Sequence, residues 1–171
     1  VFLYIGVDDS SYMQLCNLLV KLFGCSYNVL KLSCYKGLYD AFNKIIKKID
    51  ARFITFIRSG EKYSPCRNKK LLDEANERKS SLLISYLDLT DSNGRKLGEE
   101  NLFFKRYSHG LLSNIAQFAC LSQTMLYHDL ILTFSNLFFS KDLFLQLNGF
   151  NLSYKNFSYY DFFLRASLLE E

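Results

Sequence analysis

Short apolar runs alternate along this chain with segments in which apolar residues recur at helical spacing, and this alternation limits the possible folds most strongly. The strand-like runs lie at residues 1–7, 27–33, 52–57, 81–89 and 131–139. The segments with helical spacing lie at residues 12–23, 38–49, 65–79, 110–121, 141–147 and 158–169. Strands that alternate with helices predict an α/β fold, in which a mostly parallel sheet is flanked by helices in three layers.

The composition is typical of one globular domain, spanning residues 1–171. Hydrophobic residues make up 49% of the chain, which excludes a disordered tail. The net charge is +4, and the basic residues are scattered without a regular aromatic pattern, so no nucleic-acid partner is expected. No apolar run reaches the roughly 18 residues that span a bilayer, so no transmembrane segment is expected. A cytoplasmic protein is expected, and peripheral contact with a membrane stays open.

The cysteines do not form a recognisable metal-binding or disulfide pattern. They are Cys16, Cys25, Cys34, Cys66 and Cys120. Their number is odd, their spacings are wide, and none belongs to a C-x-x-C pair, so neither a zinc site nor a disulfide framework is predicted. Reduced thiols are the expectation for such a chain.

Polar residues follow three of the predicted strands at their carboxyl ends. Asp8 and Asp9 follow the first strand, and residues 33–37 follow the second. Residues 58–61 follow the third. Ligands of parallel α/β sheets bind beyond this edge, so these residues alone indicate a nucleotide-binding α/β module.

Three segments together resemble the family-2 glycosyltransferases. Residues 35–44 read Y-K-G-L-Y-D-A-F-N-K and resemble the family's K-G-I-Y-D-A-M-N-K segment. Residues 53–61 read F-I-T-F-I-R-S-G-E and resemble the strand that leads to its N-S-G-D or D-x-D-D metal-binding turn. Residues 147–150 and 160–165 read L-N-G-F and Y-D-F-F-L-R and resemble its G-G-F-D segment followed by E-D-Y-D-x-x-L-R. The order and spacing agree with the family over about residues 1–168.

The resemblance implies a fold and an activity. The fold is GT-A, a Rossmann-like, mostly parallel sheet between layers of helices. The activity is transfer of a sugar from a nucleotide-sugar donor to a glycan or polysaccharide acceptor, as in bacterial polysaccharide assembly. A divalent cation, Mn²⁺ or Mg²⁺, usually stabilises the leaving diphosphate in this fold.

The beginning of the chain can be aligned with the family in two ways. Residues 7–11 read V-D-D-S-S and resemble the V-D-D-G-S that ends the family's second strand, which would leave its first strand and helix outside this chain. Alternatively, residues 1–7 are the first strand of a shortened domain. Both alignments place Asp8 and Asp9 at a strand end, where the resemblance implies contact with the base or ribose of the nucleotide. A solvated turn is the competing interpretation.

The resemblance also implies which residues line the nucleotide-sugar cleft. Lys36, Asp40 and Asn43 match family positions in the first segment. The competing interpretation is an exposed first helical turn, in which an acidic residue favours the helix dipole.

The metal-binding turn departs from the family pattern. Arg58 stands where the family has Asp or Asn, and Glu61 stands where it has Asp. A lone Glu61 is a poor metal anchor, and the neighbouring cation competes with a metal ion. Two outcomes follow: Arg58 binds the diphosphate directly and bidentately, or the site has lost its donor chemistry.

The catalytic-base position departs as well. Tyr159 stands where the family's catalytic Asp is expected, and a phenol, with an ordinary pKa of ~10, is a poor base near neutral pH. Asp161 matches a second, more structural Asp, and its spacing predicts an i,i+4 ion pair with Arg165. A two-residue shift in alignment would instead make Asp161 the base.

These departures support an alternative function, a non-catalytic module within a larger glycosyltransferase. The geometry distinguishes the two functions. If the acidic residues and Arg58 meet at an open cleft, catalysis is retained. If Tyr and Phe side chains fill that space, catalysis is lost.

Overall fold

The computed structural model describes residues 3–7, 27–31, 35–58, 60–98, 100–102, 120–127 and 130–169. The strands are β1 (Leu3–Val7), β2 (Tyr27–Lys31), β3 (Phe53–Ile54), β4 (Leu82–Ile84) and β5 (Leu137–Ser140). The α-helices are α1 (Leu38–Lys48), α2 (Arg67–Arg78), α3 (Leu121–Tyr127), α4 (Lys141–Gln146) and α5 (Ser158–Leu169). Two 3₁₀ turns lie at Phe134–Asn136 and Leu152–Phe157.

The described strands form two separate sheets. β1 and β2 pair in parallel, with Leu3 opposite Tyr27. The other three strands form an antiparallel sheet in the order β3-β5-β4, with Ile54 and Leu82 both opposite Phe139. The prediction of a mostly parallel, three-layer, GT-A-like sheet is therefore wrong.

The error comes from the direction and position of β5. β3 and β4 are both antiparallel to β5, so they run in the same direction, as expected for two strands joined through α2. β5 enters between them after residues 85–136. The alternation of strands and helices in a sequence does not encode the direction of a strand that arrives after so long a connection.

β5 is the centre of the hydrophobic core because all four of its residues are buried. Phe139 is completely buried, and its ring lies 5.5 Å from that of Phe162 on α5 and 6.1 Å from that of Phe144 on α4. Each such aromatic side chain contributes roughly 1.5–3 kcal/mol on full burial. The sheet is therefore covered by α4 and α5, which follow it in the chain.

The chain passes from β5 into α4 without a loop. The Ser140 hydroxyl accepts a hydrogen bond from the Leu143 amide at 3.1 Å and so caps the helix. The Ser140 amide still donates to the Ser81 carbonyl at 2.8 Å, and the Lys141 amide donates to the Arg52 carbonyl at 2.8 Å. The end of β5 is therefore still hydrogen-bonded to the residues that precede β3 and β4 at the point where α4 begins.

The helices that flank this sheet match their predicted positions better than the strands do. α1 and α5 lie within a residue of the predicted bounds. β5 begins later than the predicted 131–139 strand because residues 134–136 form a 3₁₀ turn. The predicted helix at 12–23 and most of the one at 110–121 lie outside the described residues, as do Cys16, Cys25 and Cys34. Cys66 and Cys120 are free thiols.

Within the described part of the chain, no helix is both long enough and apolar enough to cross a membrane.

Gly149 ends the connection after α4 in a conformation that few other residues adopt. Its φ is +72°, and a Cβ added there would lie 2.6 Å from Asn43 Oδ1 and 2.8 Å from Phe144 Cζ. Gly94 has a similar φ of +78°, but no described atom outside its two chain neighbours lies within 4 Å of the added carbon. Substitutions at the two positions therefore distinguish the cost of a left-handed backbone from the cost of steric crowding.

We expect Gly149→Ala to destabilise the protein more than Gly94→Ala does. The Gly94 variant should lose about 1–2 kcal/mol from the left-handed backbone alone. The Gly149 variant should lose at least about 1 kcal/mol more, because the added methyl group overpacks against Asn43 and Phe144. Urea denaturation followed by circular dichroism measures both, and equal losses would contradict the crowding at Gly149.

Candidate functional site

The three glycosyltransferase-like segments meet around residues 133–136, which we call the 133–136 turn. The Arg58 amide donates a hydrogen bond to Ser135 Oγ at 3.1 Å. The Phe134 ring lies 5.9 Å from the Tyr39 ring, 6.3 Å from the ring of Phe150 in the third segment and 5.8 Å from the ring of the nearby Tyr159. Parts of the chain that are distant in sequence therefore converge on one short turn.

Glu61 fastens its own turn to the 133–136 turn. The Glu61 amide donates to the Arg58 carbonyl at 3.1 Å, and Gly60 between them has a φ of +87°. In the side chain, Oε1 accepts a hydrogen bond from Thr133 Oγ1 at 2.7 Å, and Oε2 accepts one from Ser135 Oγ. Both carboxylate oxygens thus have protein donors, and such charge-assisted bonds are among the stronger ones.

The residues at this turn do not fit a divalent cation. Mg²⁺ and similar ions need several oxygen ligands, usually from more than one carboxylate. Among the described residues, the carboxylate that contacts this turn is that of Glu61, both of its oxygens already accept hydrogen bonds, and Arg58 adds a positive charge. No group of three or more His, Cys, Asp or Glu side chains comes together in the described ranges.

Arg58 has a fixed backbone and an exposed side chain. Its amide is held by Ser135 and its carbonyl by Glu61. Its guanidinium forms no hydrogen bond or ion pair with any residue that the structure describes. The cation is therefore positioned by its backbone and available to an anionic ligand.

Asp40 lies in the first turn of α1 and is held by two donors. Its Oδ2 accepts the Lys36 backbone amide at 2.7 Å and the Lys44 ammonium at 2.9 Å. These bonds, first that of the Lys36 amide and then that of Lys44, hold the pKa of the Asp40 carboxyl below its ordinary value. Asp40 thus stabilises the beginning of α1, while the Lys36 side chain is exposed.

Asn43 fixes Phe150 by two hydrogen bonds. Its Nδ2 donates to the Phe150 carbonyl at 2.9 Å, and its Oδ1 accepts the Phe150 amide at 2.9 Å. Phe150 is buried, so both of its backbone groups need partners. The Asn43 amide therefore joins the first resembling segment to the third.

Asp161 forms the predicted ion pair with Arg165. Its Oδ2 accepts Arg165 Nη2 at 2.6 Å and Nε at 3.1 Å. The same guanidinium donates to the Leu147 carbonyl at 2.7 Å and to the Gly149 carbonyl at 3.1 Å. The pair thus ties α5 to the loop after α4.

Aromatic rings fill the space between the three segments. Neighbouring ring centroids are separated by 4.4–6.3 Å. We call this group the aromatic cluster; its members are Tyr39, Phe42, Phe56, Phe134, Phe150 and Tyr159. Tyr159, one of the two candidate catalytic residues, is thus part of a packed cluster.

Arg67 is a residue of this region that the sequence analysis missed. Its guanidinium is half-buried, donates to the Ser135 carbonyl at 2.7 Å and to Ser85 Oγ at 3.1 Å, and lies 4.3 Å from the Tyr63 ring centroid. Burial lowers the pKa of Arg67 and raises that of Tyr63. A cation in the first turn of a helix opposes the helix dipole, and this mismatch at the start of α2 was the available signal.

Asp8 and Asp9 lie outside the described residues. Comparison of the chain with protein-family models, curated proteins and solved structures gives no match. The glycosyltransferase resemblance therefore rests on the three segments themselves.

We expect Asp40→Asn to change how stability depends on pH. Because the folded-state pKa of Asp40 is lowered, its stabilisation is present above the unfolded-state pKa of about 3.9 and is lost as the pH falls through the lower folded value. The difference in unfolding free energy between wild type and variant should therefore be constant above about pH 5 and shrink below about pH 4. Urea denaturation across this range measures it, and a difference independent of pH would contradict the assignment.

Proposed function

We propose that the chain is a glycosyltransferase-like domain that binds a nucleotide-sugar donor and does not itself transfer the sugar. The observation that carries this proposal is the meeting of all three resembling segments at the 133–136 turn. Glu61 and Asp161, to which the resemblance assigns metal binding and proton uptake, both accept hydrogen bonds from protein donors, Glu61 from the 133–136 turn and Asp161 from Arg165.

Donor binding is proposed to depend on Arg58. A guanidinium matches two phosphate oxygens at once and needs no metal ion to do so. Arg58 is exposed beside a turn whose backbone is fastened by Ser135 and Glu61. A diphosphate at this position would therefore meet a cation that is already placed.

We propose that sugar transfer is lost because both candidate catalytic bases are already engaged in contacts within the fold. A general base must reach the acceptor hydroxyl and take up its proton. Oδ2 of the Asp161 carboxylate accepts two hydrogen bonds from the Arg165 guanidinium, at 2.6 Å and 3.1 Å, so this oxygen is already engaged within the fold. Tyr159 packs against Phe134. The proposed role is a non-catalytic, donor-binding module that works beside a catalytic glycosyltransferase.

We expect Arg58→Met to weaken nucleotide binding by at least about tenfold, since a hydrogen bond to a charged group contributes about 1.5–3 kcal/mol. Isothermal titration calorimetry with uridine and guanosine diphosphates, each with manganese and with a chelator, is the measurement. Arg95→Met, which removes another exposed arginine, is the matched control and should bind as wild type does. Binding to neither nucleotide would refute donor binding, and binding by the Arg58 variant equal to that of the wild type would refute the role of Arg58.

The same samples test the absence of catalysis. We expect no hydrolysis or transfer from the corresponding sugar nucleotides. Transfer that Asp161→Asn abolishes would instead assign Asp161 as the base and overturn the non-catalytic part of the proposal.

A further inference from the structure

A polar pocket lies at one end of the antiparallel sheet, opposite the end that carries the turn at residues 58–61. β5 begins next to the 133–136 turn and ends at Ser140, which lines the pocket. The end of α2 and the residues before β3 and β4 form its other walls. Its volume is about 180 Å³, smaller than the roughly 300–1,000 Å³ of pockets that hold drug-sized ligands. The pocket therefore suits a small ligand or one group of a larger one.

The geometry points to a binding site for the phosphate group of a small phosphorylated ligand. Arg52 and Lys79 both line the pocket, and Asp142 is the single acidic residue among the described residues of its lining. The lining is thus net positive, and it is mainly polar.

Arg52 is held in position at the pocket. Its guanidinium lies 5.1 Å from the Phe53 ring centroid, and its Nη1 donates to Asn76 Oδ1 at 3.1 Å. A guanidinium has five N–H donors, so this single side-chain bond leaves others for a ligand. Because Arg52 is oriented before binding, less entropy is lost when an anion binds.

Lys79 and Ser140 supply the remaining donors. Lys79 ends α2 in a left-handed conformation, with φ 55° and ψ 31°, and its amide donates to the Ala75 carbonyl. Its ammonium forms no hydrogen bond or ion pair within the described part of the chain. The buried Ser140 hydroxyl accepts the Leu143 amide at 3.1 Å, and its own proton is not donated to a described residue. Two cations and one hydroxyl proton are therefore available to phosphate oxygens.

Asp142 indicates which other chemical groups the phosphate-bearing ligand carries. A carboxylate repels a phosphate but accepts hydrogen bonds from hydroxyl groups. The ligand class that fits both parts of the lining is a small phosphate ester that carries hydroxyl groups. This site is separate from Arg58 and does not depend on the proposed function.

The test is a titration of the ¹⁵N-labelled protein with inorganic phosphate at constant ionic strength, followed by NMR. We expect saturable shifts of the amides of Ser80, Ser81 and Ser140. Lys79→Met and Arg52→Met should each weaken this binding by about tenfold. Lys69→Met, which removes an exposed lysine of the same helix outside the pocket, is the control and should leave it unchanged, as should Arg58→Met.

Asp142→Asn separates an anion site from a cation site. It should tighten phosphate binding severalfold, because it removes the one repelling charge. Weaker binding in this variant, no saturable shift, or shifts spread over the basic surface and equal in Lys79→Met would overturn the proposal. Lys79→Met keeps the test decisive if Arg52→Met disturbs the packing on Phe53.

Discussion

The hydrogen bonds of the 133–136 turn are the interactions on which the rest of this structure depends. Thr133 and Ser135 donate to the Glu61 carboxylate from one side, and Arg67 donates to the Ser135 carbonyl from the other. Hydrogen bonds to charged groups contribute about 1.5–3 kcal/mol each. The turn is thereby fixed between the strand-end loop of β3 and the beginning of α2, and it leads directly into β5.

The fixed position of this turn determines how the core packs and which side chains meet at the candidate site. From this turn, β5 runs antiparallel between β3 and β4, and all four residues of β5 are buried. The turn also places Phe134 at the centre of the aromatic cluster, so that α1 and α5 pack around one ring. Glu61 and Asp161, to which the resemblance assigns metal binding and proton uptake, both accept hydrogen bonds from other parts of the fold. This is the physical basis for proposing donor binding without transfer.

The local part of this arrangement was predictable from the sequence, and the distant part was not. α1 and α5 follow from apolar spacing, and the Asp161–Arg165 pair follows from residues one helical turn apart. The Glu61–Thr133 bond joins residues 72 positions apart, and the Asn43–Phe150 bonds join residues 107 apart. No periodicity encodes such pairings, nor does it encode the direction of β5. The three segments of the family resemblance lie near one another in the structure, and the chemistry that the resemblance implies for them stays a prediction.

A double-mutant cycle between Glu61 and Ser135 tests the central claim most directly. The unfolding free energies of Glu61→Ala, Ser135→Ala and the double variant give the coupling between the two side chains. If Glu61 fastens the turn as described, the coupling energy should be at least about 1 kcal/mol. Losses that add to within about 0.5 kcal/mol would show that the two side chains act independently, and would contradict the account.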